Sequence, residues 1–287
     1  MSNTFIALQK LLPHHAVSRF AGRFAGSEKP WIKDWVIRRF IRAYDVDMRE
    51  AARPVEAYRS FNDFFTRELK TGARPLAHAH EAVLSPADGA VSQIGRIENG
   101  QIFQAKGKHF TARQLLGGDG KAAQRFEGGH FATIYLSPRD YHRVHMPADG
   151  RLLSTTYVPG DLFSVNTVTA ENVDGLFARN ERLACLFDGA ERGRFASVMV
   201  GAMIVAGIET VWSGREATHH SKVVSKSYDA TGPVLSAGAE IGRFFLGSTV
   251  VLLFEEGQLQ WDTALSAGST VRMGQAIGRW GQSNAAA

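Results

Sequence analysis

A chain of 287 residues with 44% hydrophobic content can bury one substantial core or two modest ones. Its single cysteine, Cys185, excludes an internal disulfide and cysteine-rich zinc sites, and no apolar run reaches the roughly 18 residues a spanning helix requires. The net charge of +5 is local, since residues 1–45 hold eight Lys/Arg against three acids; such a concentration suits anionic lipid or nucleic acid as a partner.

Residues 1–70 read as helical. Phe5, Leu8 and Leu12 share one face, and Val17, Phe20, Ala21 and Phe24 another. Over 31–44, Trp31 and Trp35, then Val36 and Phe40, recur four apart with Lys33, Arg38, Arg39 and Arg42 between them. This interleaving suits a helix lying in a membrane interface, and equally a core-packing helix with a solvated basic face. Ser60, before Phe61-Asn62-Asp63, reads as a helix N-cap.

From about residue 80 the pattern changes to short β-type runs, as at 90–94, 132–136 and 249–254, with Asp-Gly turns headed by Asp88, Asp149, Asp174 and Asp188. A helix is expected near 112–116. The run 195–208, interrupted by Gly201 and Gly207, reads as a buried strand with a bend, and 267–278 as a glycine-punctuated hairpin. Pro86-Ala87-Asp88-Gly89 and Pro147-Ala148-Asp149-Gly150 are identical tetrapeptides leading into strands, a hint of duplication. The expected fold is α+β. It comprises N-terminal amphipathic helices over 1–70, then a mostly antiparallel β domain with a few helices over 71–287.

Three places carry candidate chemistry. Gly247-Ser248-Thr249 enters an all-apolar strand; glycine leaves its carbonyl unshielded, so the Ser248 hydroxyl can attack it and turn amide into ester. A structural Gly-Ser turn is the commoner meaning of such a dipeptide. His142 and His145 lie three apart with no Glu between them as in a zincin motif, and a structural pair is the commoner meaning there too. Asp88 doubles as the first half of a turn. Asp, His and Ser make a base-activated nucleophile, while the Gly-x-Ser-x-Gly elbow of hydrolases is absent.

Leu246-Gly247-Ser248-Thr249 is similar to the self-cleavage motif of the pyruvoyl-dependent phosphatidylserine decarboxylase family, in its bacterial form. Ser60-Phe61-Asn62-Asp63-Phe64-Phe65-Thr66-Arg67-Glu68-Leu69 and Ser85-Pro86-Ala87-Asp88-Gly89 resemble further family blocks. So do Leu136-Ser137-Pro138-Arg139-Asp140-Tyr141-His142-Arg143-Val144-His145-Met146-Pro147 and Phe177-Ala178-Arg179-Asn180-Glu181-Arg182, in family order. The likeness spans about residues 5–278.

The resemblance implies a triad of Asp88, His145 and Ser248. His145 takes the Ser248 proton as the hydroxyl attacks the Gly247 carbonyl, and Asp88 orients the imidazole. β-Elimination then yields a β chain of residues 1–247 and an α chain of 248–287, and Ser248 becomes a covalent pyruvoyl group, with no metal. Its ketone draws electrons as carbon dioxide leaves phosphatidylserine, giving phosphatidylethanolamine. His142, in the same block, is assigned as proton donor.

The resemblance further implies a peripheral protein on the cytoplasmic face of the cell membrane, docked on anionic lipid by its basic helices. Its partners are the α and β chains of one precursor and no nucleic acid, with homo-oligomerisation left open. Gly268-Ser269-Thr270 and Asp149 are look-alikes outside that context. Competing readings are a non-catalytic lipid- or nucleic-acid-binding protein and a hydrolase that keeps Ser248 intact.

Overall fold

The computed structural model describes residues 24–78, 81–202, 207–215, 221–245, 248–257 and 259–281. The helices expected before residue 24, and Leu246 and Gly247 of the cleavage motif, lie outside the described residues.

Pro30 opens helix α1 (Pro30–Tyr44), where its missing N–H would have had no partner anyway, and Asp45 closes it in the left-handed conformation at φ 53°. The four-residue spacing resolves into two faces. Ile37 is buried and Val36 and Phe40 pack inward, whereas Trp31 and Trp35 stay 75% and 65% exposed. Phe40 meets Phe61, Phe64 and Phe65 of α2 (Phe61–Phe65) at ring-centroid distances of 5.0, 6.1 and 5.8 Å. Ser60 caps α2 by accepting from the Asp63 N–H. Between the two helices the chain is turns and one 3-10 turn, so the helical reading of 1–70 holds in its segments and not over residues 46–60. Pro54 supplies the reason, lacking a donor and disfavouring helical angles at Arg53.

The strands follow from residue 82. They are β1 (Ala82–Leu84), β2 (Gly89–Arg96), the hairpin of β3 (Gln101–Ala105) and β4 (Lys108–Thr111), then β5 (His130–Leu136) and β6 (Arg143–His145). Next come β7 (Gly150–Val158), β8 (Arg182–Asp188), β9 (Arg194–Gly201), β10 (Ile208–Thr210), β11 (Gly214–Arg215), β12 (Val224–Ser227) and β13 (Val234–Leu235). The last are β14 (Glu240–Phe244), β15 (Ser248–Phe254), β16 (Leu259–Trp261), β17 (Thr270–Val271) and β18 (Ala276–Trp280). All the pairings of these named strands are antiparallel. With few helices beside them, the fold is α+β as expected.

A nine-stranded sheet runs β12-β7-β8-β9-β15-β5-β2-β17, with β13 on the edge of β7. Strand β15 sits between β9 and β5 with all seven residues buried, which is why its sequence is apolar without alternation. Val250, Leu252 and Phe254 pack on one side of the sheet and Val251 and Leu253 on the other. Period-two alternation puts Ser248 on the Val250 side, the side of Val144, Ile241 and Phe244 from β6 and β14.

The hint of duplication extends well beyond four residues. Strand β1 pairs with β18 as β6 does with β14; β2 pairs with β17 as β7 does with β13; β18 pairs with β16 as β14 does with β10. The two tetrapeptides lie side by side, the Leu84 N–H donating to the Pro147 carbonyl (2.9 Å) and the His145 N–H to the Pro86 carbonyl (2.8 Å). The second repeat, β6 to β14, is inserted between β5 and β15 of the first. The run 195–208 is not one bent strand but β9 and β10 in different sheets, and the hairpin read over 267–278 is β17 and β18, again in different sheets.

Candidate active site

Two sequence blocks far apart in the chain interlock around Ser248. Arg143 donates through Nε to the Thr66 carbonyl (2.9 Å), and Arg67 donates through Nη2 to the carbonyls of Arg139 (2.9 Å) and Asp140 (3.2 Å). Phe65 stacks on His142 with ring centroids 4.0 Å apart and 21° between planes. His142, wholly buried, presents Nδ1 to the Ser248 Oγ at 3.4 Å. The Ser248 hydroxyl donates to that nitrogen when Nδ1 is unprotonated. Nε2 of His142 is buried with no hydrogen-bond partner among the described residues. Burial and the nearby Arg67 guanidinium bring the pKa of His142 down to about 3, against an opposing pull from the Pro138 and Ser137 carbonyls, so the ring is neutral at neutral pH.

Ser248 itself is fully buried at the head of β15, opposite Leu136 on one side and Gly201 on the other. The structure thus brings His142 and Ser248 together.

His145 and Asp88 stand apart from that contact. Nδ1 of His145 donates to the Gly238 carbonyl (2.8 Å), which leaves Nε2 as the acceptor of the Tyr141 hydroxyl (3.0 Å). Burial lowers the His145 pKa, with the Gly238 bond and the fields of Glu240 and Asp88 acting the other way and Arg143 adding to the lowering. Gly238 holds this place at φ +79°, where a Cβ would lie 2.5 Å from Leu76 Cδ1. Asp88 is gripped by Arg74, whose Nε lies 2.8 Å from Oδ1, and by the Met273 N–H (2.9 Å). Arg74 also binds Glu50 (2.7 Å).

Phe65, Arg67, Arg74, Tyr141 and Gly238 are contacts the sequence reading did not single out. All but Arg74 and Gly238 fall inside blocks quoted above, so the signal was present without a role. The look-alikes sit elsewhere. Ser269 accepts from the Ser266 N–H in a turn where Gly268 has φ +92°, and Asp149 accepts from the Ala237 N–H. Among the described residues, no group of three or more His, Cys, Asp or Glu is placed to hold a metal, and no helix is long and apolar enough to cross a membrane.

Comparison with known proteins adds an independent line. A family model described as phosphatidylserine decarboxylase matches residues 61–279, and a second, described as PSD, matches 4–45. Proteins named phosphatidylserine decarboxylase proenzyme are similar over nearly the whole chain. That of Ectopseudomonas mendocina is 57% identical over 278 residues, covering 96% of this chain and 97% of its own. That of Saccharophagus degradans is 55% identical over 275 residues, covering 95% and 96%. That of Bordetella pertussis is 57% identical over 277 residues, covering 95% and 93%.

Proposed function

Because this chain belongs to the phosphatidylserine decarboxylase family, we propose that it cuts itself between Gly247 and Ser248 and converts Ser248 into a pyruvoyl group. It is a decarboxylase of phosphatidylserine made as a proenzyme. The observation that carries the reading is the Ser248 hydroxyl, buried at the head of the central strand and 3.4 Å from a neutral imidazole.

The chemistry of the cut balances without an outside reagent except water. Ser248 Oγ attacks the Gly247 carbonyl, and the peptide nitrogen leaves with a proton to become the α-amine of an ester. Loss of the α-proton then expels the Gly247 carboxylate, leaving dehydroalanine. Tautomerisation and addition of water release ammonia and leave the ketone. The residues present fit such a group, since position 248 is buried and the His142 Nδ1, 3.4 Å from its side-chain oxygen, donates to a carbonyl oxygen there in the Nδ1–H tautomer. That group supplies the electron-withdrawing carbonyl that lets carbon dioxide leave the substrate.

For the cut, the reading assigns Asp88, His145 and Ser248. The Gly238 carbonyl fixes the His145 tautomer with Nε2 as acceptor, and Nε2 must exchange the Tyr141 hydroxyl for that of Ser248. For decarboxylation it assigns His142, the ring adjacent to position 248, as proton donor. A second assignment, His142 as base for the cut, is favoured by the contact itself. A denaturing gel with intact mass measurement separates the two. Purified protein should run as fragments 1–247 and 248–287. His145→Ala should stay uncut, while His142→Ala should be cut and release carbon dioxide slowly. An uncut His142→Ala would transfer the base role to His142, and an uncut parent protein would sink the whole reading.

Residues 1–70 are proposed as the membrane-associating region at the cytoplasmic face. The outward Trp31 and Trp35, beside Arg38 and Arg42, supply the apolar and basic groups that an anionic interface takes up.

A further inference from the structure

The duplication brings two glycines to equivalent places. Gly238-Ala239-Glu240-Ile241-Gly242-Arg243-Phe244 leads through β14 as Gly274-Gln275-Ala276-Ile277-Gly278-Arg279-Trp280 leads through β18. Gly238 and Gly274 adopt φ +79° and +81°, which residues with a side chain rarely do. Their N–H groups donate to the carbonyls of Met146 (2.9 Å) and Ser85 (3.0 Å), the residues that precede the two Pro-Ala-Asp-Gly tetrapeptides. The N–H one residue earlier donates in each case to the aspartate of that tetrapeptide, Ala237 to Asp149 (2.8 Å) and Met273 to Asp88 (2.9 Å).

The two turns differ at the glycine carbonyl. That of Gly274 accepts from the Ala77 N–H (2.9 Å), whereas that of Gly238 accepts from His145 Nδ1 (2.8 Å). One turn therefore holds the Asp88 carboxylate and the other the His145 ring. Leu76 sits on both. A Cβ at 238 would lie 2.5 Å from Leu76 Cδ1, and a Cβ at 274 would lie 2.6 Å from Leu76 Cδ2, so its methyl groups fill the notches that the glycines leave. Yet Leu76 is 50% exposed and belongs to none of the buried clusters, so core stability does not account for it. Its neighbours are tied to the same place, Arg74 by Nε to Asp88 (2.8 Å) and Ala77 to Gly274.

We propose that Leu76 is a positioning residue for self-cleavage, wedged between the Gly238 and Gly274 turns so that His145 and Asp88 keep their relative placement. The role rests on the assignment of both residues to the cut. Strands β14 and β18 lie in different sheets, and Leu76 spans their entry turns. Without it the Gly238 turn can shift and its bond to His145 weakens. That bond raises the His145 pKa against the lowering by burial; Glu240 of β14 and Asp88 act with the bond, and Arg143 of β6 acts with burial. The Tyr141 hydroxyl occupies the other ring nitrogen. Weakening the bond lowers the pKa further, so a misplaced His145 stays neutral to lower pH.

The test follows release of fragment 248–287 by intact mass in freshly synthesised full-length protein, across a range of pH. Leu76→Ala should slow the cut about tenfold at neutral pH, as misplacement of a general base does, and move its acid limb to lower pH. Leu76→Met refills both notches and should restore rate and limb together. Slowing by one factor at every pH would mark a general loosening of the fold and overturn the proposal, as would cutting of Leu76→Ala at the parent rate. Leu76→Val carries the same comparison if Leu76→Ala does not fold or cuts too slowly to profile. His145→Ala, run in parallel, keeps two questions apart. A parent-rate Leu76→Ala beside an uncut His145→Ala sinks the positioning role alone, while a cut His145→Ala sinks the assignment of the base and the positioning role with it.

Discussion

His142 is held where its ring stays neutral at neutral pH, pressed against Phe65 and under the field of Arg67. The serine it touches has a look-alike at Ser269, and the two differ in surroundings more than in sequence. Ser248 lies in the buried head of a central strand, Ser269 in a turn with its hydroxyl oxygen engaged by Ser266. Ser248→Ala should therefore give a single uncut band, while Ser269→Ala should be cut at the parent rate, as intact mass measurement will tell. The sequence exposed the letters of this site but not their neighbours. Phe65 and Arg67 act on residues more than seventy positions away, and no local pattern encodes that contact. Nor does spacing reveal that Asp88 faces Arg74, or that His145 faces Tyr141 and Gly238.

Helix α1 shows what periodicity can and cannot say. Its four-residue spacing was legible, but not which of the two apolar pairs would meet α2. Phe40 fits against the α2 rings, leaving both tryptophans outside. Trp31→Ala with Trp35→Ala should cut binding to anionic vesicles by about tenfold in a sedimentation assay and leave self-cleavage intact. Deleting 1–45 is a poorer probe, because it also removes Phe40 from the ring cluster that backs His142.

At the head of β8, burial pushes the Glu181 carboxyl up to about 7, beside the Tyr157 hydroxyl. A carboxyl whose folded pKa is raised binds more protons folded than unfolded over that interval. Its stabilisation is full below about pH 4.5 and is lost as pH rises to about 7, amounting to about 3 kcal/mol. Glu181→Gln should remove that decline, so the gap in denaturant stability between variant and parent should widen in the variant's favour from pH 4.5 to pH 8.

At the scale of the molecule, one repeat is nested inside the other. The proposed cut falls where the chain leaves β14 of the inner repeat and returns through β15 to the outer one. Strands β15 to β18 would then belong to a separate chain, with β15 paired along its length with β5 and β9. Fragments 1–247 and 248–287 should co-elute on native size exclusion and part only in denaturant; separation of the cut protein under native conditions would refute this. The tetrapeptide repeat announced the duplication, but its nesting was hidden, because strand pairing joins segments that the chain visits more than a hundred residues apart.

Ser248 has Leu136 of the outer repeat on one flank and Gly201 of the inner repeat on the other. Neither half of the duplication can assemble that environment alone. If the chain cuts itself at Ser248 as proposed, the cut would work as an internal quality check: a nascent or misassembled chain would keep an inert serine, and only a molecule whose two halves have met along β15 would acquire a reactive carbonyl.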